Sequence, residues 1–288
     1  MIGKYLSLVK FSHTIFAMPF ALMGYFIGIN TPGFGFEWRI LLLVILCMVF
    51  ARSAAMGFNR YVDRNIDAKN QRTAIREIPS GIIKPSNALV FVIISSLAFI
   101  VCSGFINPLC LYLSPIALFI VLVYSYTKRF TAFCHLVLGL GLAIAPVGAY
   151  IAVTGQFNIL TVIIGFAVLF WVSGFDIIYA LQDVDFDKTH HLKSIPSLVG
   201  EEYALKVSAM LHIFTAIMLI ISAILLQHQF SSQLFLMGLG VILFIGMLIY
   251  QHSLVKPKDL RRVNRAFFTS NGIASMVLGL LVILDFYI

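Results

Sequence analysis

The stretch WRILLLVILCMVFARSAAMG, residues 38–57, runs straight into FNRYVDRNID, residues 58–67. The first part is predominantly apolar and long enough to cross a hydrocarbon core as a helix. The second places Asn59, Asp63 and Asp67 four residues apart, on one helical face, each one turn above the last. A carboxylate beside a long apolar span marks a site more often than a surface, because hydrocarbon penalises charge. The pattern returns later in the chain, where Asp183 and Asp187, again four apart, follow another apolar run.

Around these two segments nearly everything is greasy. The 288 residues are 60% apolar and only 11% charged, with a mean hydropathy of +0.99. A soluble domain cannot hide that much apolar surface, so the chain reads as an all-α polytopic membrane protein. Nine spans can be drawn, at 12–29, 38–57, 87–104, 109–126, 132–153, 159–182, 203–226, 233–252 and 267–286. Pro19, Pro115 and Pro146 fall inside spans, where packed membrane helices tolerate them. No linker or second domain is visible, so residues 1–288 form one transmembrane domain. Cys47, Cys102, Cys110 and Cys134 stand singly in apolar runs, as small packing residues rather than a disulfide framework or zinc site. Lys4 and Lys10 precede an apolar stretch as in a signal sequence, but no clear small-residue cleavage site follows, which favours a retained first helix.

The loops alternate in character. Segments 30–37, 105–108, 154–158 and 227–232 are short and hold a single charge, Glu37. The opposite side collects Lys4, Lys10, the basic loop 58–86, Lys128, Arg129, the loop 183–202 and the cluster Lys256, Lys258, Arg261, Arg262 and Arg265. The positive-inside rule then puts the N-terminus in the cytoplasm and the C-terminus outside, in keeping with an odd number of spans, and both acidic segments on the cytoplasmic side. It also explains the formal charge of +8 without nucleic acid. The membrane itself is expected to be a bacterial inner membrane, and no obligate protein partner is indicated.

Stacked carboxylates repel, and a bound Mg²⁺ removes the repulsion while bridging hard oxygen ligands to substrate phosphates. Asn59, Asp63, Asp67, Asp183 and Asp187 are the candidate ligands. The plainer alternative, acids solvated beside Arg60, Arg64 and Lys188, does not account for two pairs at helix–loop junctions on one membrane face. Asp185 faces away from its neighbours on a regular helix, whereas Asp176 lies deeper and, with Tyr179, could line a polar cavity with Asp183. Arg72, Arg76 and Lys128 are candidate phosphate contacts, and Arg129 and Lys84 read as ordinary interfacial anchors. Pro79-Ser80-Gly81 reads as a turn. His13, His135 and His212 share no ligand spacing and are expected to be hydrogen-bonded within the bundle.

Asn59-Arg-Tyr-Val-Asp63-Arg-Asn-Ile-Asp67 resembles the first aspartate-rich motif of the intramembrane aromatic prenyltransferases of the UbiA type. Asp176-Ile-Ile-Tyr179-Ala-Leu-Gln-Asp183-Val-Asp185-Phe-Asp187 resembles the second. Arg72-Thr73 with Arg76, Pro79, Ser80 and Gly81, then Tyr124 with Lys128-Arg129, and Phe267-Phe268 with Asn271, extend the likeness over nearly the whole chain. It is most similar to the 4-hydroxybenzoate polyprenyltransferases. The resemblance implies nine helices around a central cavity open sideways to lipid, Mg²⁺, a polyprenyl diphosphate donor and a small aromatic acid acceptor in quinone biosynthesis. It implies Asp63, Asp67, Asp183, Asp187 and Asp176 as catalytic residues, and Tyr124, Tyr179 and Asn271 as cavity residues. Arg76-Glu77-Ile78-Pro79 departs from the commoner Arg-Pro-hydrophobic-Pro form, and Gly174-Phe-Asp176 resembles a subgroup linked to menaquinone synthesis by the futalosine route, where the acceptor is a naphthoate. A cation-coupled transporter is the alternative from another class, but a carrier places its charges nearer mid-membrane.

Overall fold

The computed structural model describes residues 2–9, 16–230 and 235–288. Lys10, expected just before the first span, and His13, expected within it, lie outside the described residues. All regular structure among the described residues is helical. A short α1 (Ile2–Leu8) and the buried α2 (Met18–Ile29) precede α3 (Trp38–Asp67), α4 (Pro85–Ile106), α5 (Pro108–Thr127) and α6 (Cys134–Thr154). α7 (Ile159–Ala180) passes through a 3-10 turn (Leu181–Asp183) into α8 (Val184–Thr189) and α9 (Ile195–Val199). α10 (Glu201–Phe230), α11 (Phe235–Ser253), a π-helical turn (Arg265–Ser270) and α12 (Asn271–Leu284) complete the chain.

Among the described residues eight helices are long and apolar enough to cross a membrane. The ninth expected span, 12–29, is described as the 12-residue helix α2, which begins at Pro19's turn and at 1.5 Å per residue covers only about 18 Å. α3 runs on from 57 to Asp67, so the first acidic motif is the helical continuation of a span rather than a loop.

α7 is the central post. In its most apolar window 67% of residues are buried, against 17% in α3, and it packs between α6 and α10. Trp171, fully buried, meets the rings of Phe20, Phe175 and Phe244 at 5.1–5.5 Å and donates its indole N–H to Asn271 Oδ1 at 2.9 Å. Small residues let backbones touch, as membrane helices require: an added Cβ at Gly24 of α2 would lie 2.1 Å from the Pro146 carbonyl oxygen of α6. Gly81, at φ +77°, makes the expected turn of the α3–α4 connector.

Successive long helices run up and down, so the C-terminal ends of α3, α5 and α7 come to one face. Contacts confirm it: Lys193 N–H donates to the Lys128 carbonyl at 2.7 Å, joining the α8–α9 connector to the end of α5. Gly24→Ala should cost about 1–3 kcal/mol by overpacking against Pro146. A detergent melting curve should show a lowered Tm, whereas Gly246→Ala, where a Cβ meets nothing within 4 Å, should leave Tm unchanged or raised.

Candidate active site

The helix ends at this face carry acids, and the connectors carry the cations that meet them. Asp63, 1% exposed, accepts from Lys128 Nζ at 2.9 Å, from Arg129 Nη2 at 2.8 Å and from Asn59 Nδ2 at 3.1 Å. Asp67, 3% exposed, takes Arg76 Nη1 on both oxygens at 2.7 and 2.8 Å. Asp183 is held by Arg72 through Nε at 3.1 Å and through Nη2, and by Asn70 Nδ2 at 3.1 Å. Asp187 is buried and accepts the Ser194 hydroxyl at 2.9 Å. Arg72 also donates to the Tyr179 hydroxyl at 3.1 Å, with its guanidinium 5.3 Å from the ring centre. Burial alone would lower the pKa of Arg72, but the hydrogen bonds and charge of Asp183 outweigh it and raise it, so the group stays cationic.

Four of these partnerships differ from the sequence expectation. Arg129, expected as a plain anchor, is bound to Asp63 and to the Val62 carbonyl. Asp183 and Asp187 do not share one regular helix: Asp183 sits at φ −111°, ψ 6° between the 3-10 turn and α8, which turns its side chain to the α3–α4 connector. Asp176 reaches His135 rather than Asp183. Asn271, expected to face substrate, is 1% exposed and is committed to Trp171 and the Phe267 carbonyl, where it secures the π-helical turn. Asp185 is exposed. His135 and His212 are hydrogen-bonded in the bundle, His212 to His252 at 2.8 Å.

Below the mouth lies a cavity of about 440 Å³ with an overwhelmingly apolar wall. Tyr124 lines it; Tyr179 and Asn271 do not. Its wall includes Ile116 of α5, Leu140 of α6 and Phe166 of α7, all of them exposed. One full charge faces this apolar space, that of Arg52, whose Nε is buried without a hydrogen-bond partner. Arg52 stands seven residues before Asn59 and eleven before Asp63, so helical periodicity puts all three on one face, with Arg52 about 10 Å deeper than Asn59. Sequence reasoning passed over it, although a lone arginine inside an apolar run was the available signal.

The oxygen-rich donor set suits Mg²⁺, a hard ion that takes carboxylate and amide oxygens. Among the described residues no group of three or more acids, histidines or cysteines stands together ready to hold a metal. Asp63, Asp67, Asp183 and Asp187 are instead each turned to a cation or a hydroxyl of the chain.

Fold and site together define a membrane-embedded helical bundle with a charged mouth set above an apolar cavity. The UbiA prenyltransferase family matches residues 17–272, and the chain belongs to that family. It is 32% identical over 238 residues to a 4-hydroxybenzoate octaprenyltransferase of Tolumonas auensis, covering 82% of this chain and 81% of that one. A counterpart from Saccharophagus degradans is 30% identical over 248 residues, covering 85% and 81%. Among solved structures, an apo UbiA homolog from Aeropyrum pernix superposes with a TM-score of 0.83 at 29% identity, over 95% of this chain and 98% of that chain. A homolog from Archaeoglobus fulgidus bound to GPP and Mg²⁺ shares the fold, with a TM-score of 0.76 at 22% identity and coverage of 99% and 100%.

Removing one member of a buried ion pair leaves the other charge unmatched. Arg76→Met should therefore lower stability by about 3 kcal/mol, and Arg76→Met combined with Asp67→Leu should recover most of the loss. Detergent melting of the two single variants and the double variant checks this.

Proposed function

We propose that this prenyltransferase moves a polyprenyl group from polyprenyl diphosphate to a ring carbon of 4-hydroxybenzoate, with Mg²⁺, and releases diphosphate in quinone biosynthesis. The observation that carries the proposal is a charge-balanced mouth set above an apolar cavity that contains one unpartnered guanidinium. The names of the similar proteins from Tolumonas and Saccharophagus support the acceptor.

Binding is an exchange of partners. Arg72, Arg76, Lys128 and Arg129 turn from the carboxylates to the phosphate oxygens. The freed carboxylates of Asp63, Asp67, Asp183 and Asp187, with the Asn59 amide oxygen, hold Mg²⁺. When bound, Mg²⁺ supplies neutralisation of the charge that gathers on the leaving diphosphate. The allylic C–O bond breaks and its electron pair leaves with the diphosphate. The basic residues stabilise that developing charge. Tyr124 presents an electron-rich ring to the allylic cation in the dry cavity. Arg52 takes the acceptor's carboxylate and fixes the ring, whose carbon next to the hydroxyl forms the new C–C bond. Asp176 accepts the ring proton, since Asp183, once released by Arg72, would be engaged in holding Mg²⁺. The tail's remaining length leaves through a lateral opening into lipid. The enzyme would lie in a bacterial inner membrane with its mouth and N-terminus cytoplasmic and its C-terminus outside.

Turnover by the purified enzyme of polyprenyl diphosphate with 4-hydroxybenzoate and a dihydroxynaphthoate in competition tests the acceptor; preference for the naphthoate would move the protein to menaquinone synthesis. Asp63→Ala and Asp183→Ala should abolish metal-dependent turnover in folded protein. Arg52→Gln should raise KM for the aromatic acid at least about tenfold, as expected for a lost charge-assisted bond, and leave KM for the donor unchanged. Partner exchange also makes the two ligands mutually dependent. In calorimetry, Mg²⁺ and inorganic diphosphate should each bind weakly alone, and each should tighten the other by roughly tenfold or more.

A further inference from the structure

One buried polar link lies outside the steps above. His135, in the first turn of α6, has a side chain only 2% exposed. Its Nδ1 is 2.7 Å from Asp176 Oδ2 in α7, and its Nε2 lies 3.3 Å from the backbone nitrogen of Ile195, the first residue of α9. A backbone N–H can only donate, so Nε2 is the unprotonated nitrogen and Nδ1–H donates to Asp176. Both ring nitrogens are thereby used, on two different elements. Asp176 has no other hydrogen-bond partner among the described residues.

The Ile195 contact belongs to a larger seam. Next to it, Ser194 donates to Asp187, Lys193 N–H donates to the Lys128 carbonyl, and Lys193 Nζ donates to the Phe130 carbonyl at 3.2 Å. The α8–α9 connector, tied to Asp187 through Ser194, is thus laid against the α5–α6 turn that supplies Lys128 and Arg129 to Asp63. His135 is where this seam meets α7.

We propose that His135 is a positioning residue for the second acidic segment. One nitrogen aims Asp176, and the other latches the connector around residues 193–195 onto the bundle. The first half rests on Asp176 as the proton acceptor; the second is independent of that role. A histidine that merely fills space would lose both effects together on any substitution. A two-sided link separates them, because an asparagine amide reaches the Nδ1 position and a glutamine amide reaches the Nε2 position.

The test uses full-length protein in detergent, with tryptic cleavage after the exposed Lys193 and steady-state kinetics as two readouts, and a melting curve to establish folding. His135→Asn should keep kcat close to the parent value and speed cleavage roughly fivefold, the weight of one hydrogen bond. His135→Gln should keep the parent cleavage rate and lower kcat roughly tenfold without changing KM for the donor. His135→Ala should show both defects. The proposal is overturned if the asparagine and glutamine variants change both readouts alike, or if folded His135→Ala matches the parent in both. A fully active Asp176→Asn would remove the proton-acceptor reading alone, and the cleavage rates would still decide the latch.

Discussion

Carboxylates at the C-terminal ends of helices, at the border of hydrocarbon, need cations. Asp63 and Asp67 end α3, and Asp183 lies just past the end of α7. There the helix dipole is negative, so each acid is disfavoured by about 0.3–1 kcal/mol before mutual repulsion is counted. Burial sharpens the penalty, since Asp63 and Asp67 are almost without solvent. The chain meets this constraint with Lys128 and Arg129 on Asp63, Arg76 on Asp67 and Arg72 on Asp183. A local arrangement that opposes helix electrostatics, compensated by residues from elsewhere, is what a functional site looks like when the remainder of the fold is self-consistent.

The compensation also explains the connectors. The segment between α3 and α4 is long because it must carry Arg76 back to Asp67, nine residues earlier, and Arg72 across to Asp183. Thr73 and Asn70 fold it tightly, with the Thr73 hydroxyl on the Asp67 carbonyl and the Asn70 carboxamide oxygen on the Arg72 N–H. The α5–α6 turn is short because Lys128 and Arg129 need only reach Asp63 beside them. Ion pairs that cross between α3, α5 and α7 make the mouth part of the packing. The same residues hold the halves of the bundle in register and await the ligand.

Much of this was legible in the sequence, and the failures share a cause. Hydropathy found the long helices, and the four-residue spacing of Asn59, Asp63 and Asp67 placed them on one face because α3 is regular there. Both rest on local periodicity. Asp183 and Asp187 have the same spacing, yet a 3-10 turn intervenes, because the pull of Arg72 and Asn70 on Asp183 comes from a connector distant in sequence. Arg129 could not be told from an anchor without knowing that Asp63 lies beside it. His135 and Asp176, 41 residues apart, are each unremarkable alone. Asn271 carries a motif's likeness to a site and yet serves the π-helical turn, since an i to i+5 ladder leaves carbonyls that only a neighbouring amide can satisfy. Arg52 is the one omission that sequence could have prevented.

Arg52 also shows how the two parts of the site divide their work. At the mouth Asp63, Asp67 and Asp183 are each bound to a cation in the resting protein, so a ligand there must exchange charges rather than simply add to them. In the cavity the guanidinium has an unpartnered Nε, so an anion arriving there gains a hydrogen bond without displacing one from that atom. An acceptor with a carboxylate is therefore favoured over a neutral ring of equal size, while a diphosphate is drawn to the mouth, where four exchangeable cations stand together. In the proposed reaction, depth along α3 would thus sort the two substrates by charge distribution, and the apolar wall would keep water from the carbon that the ring attacks.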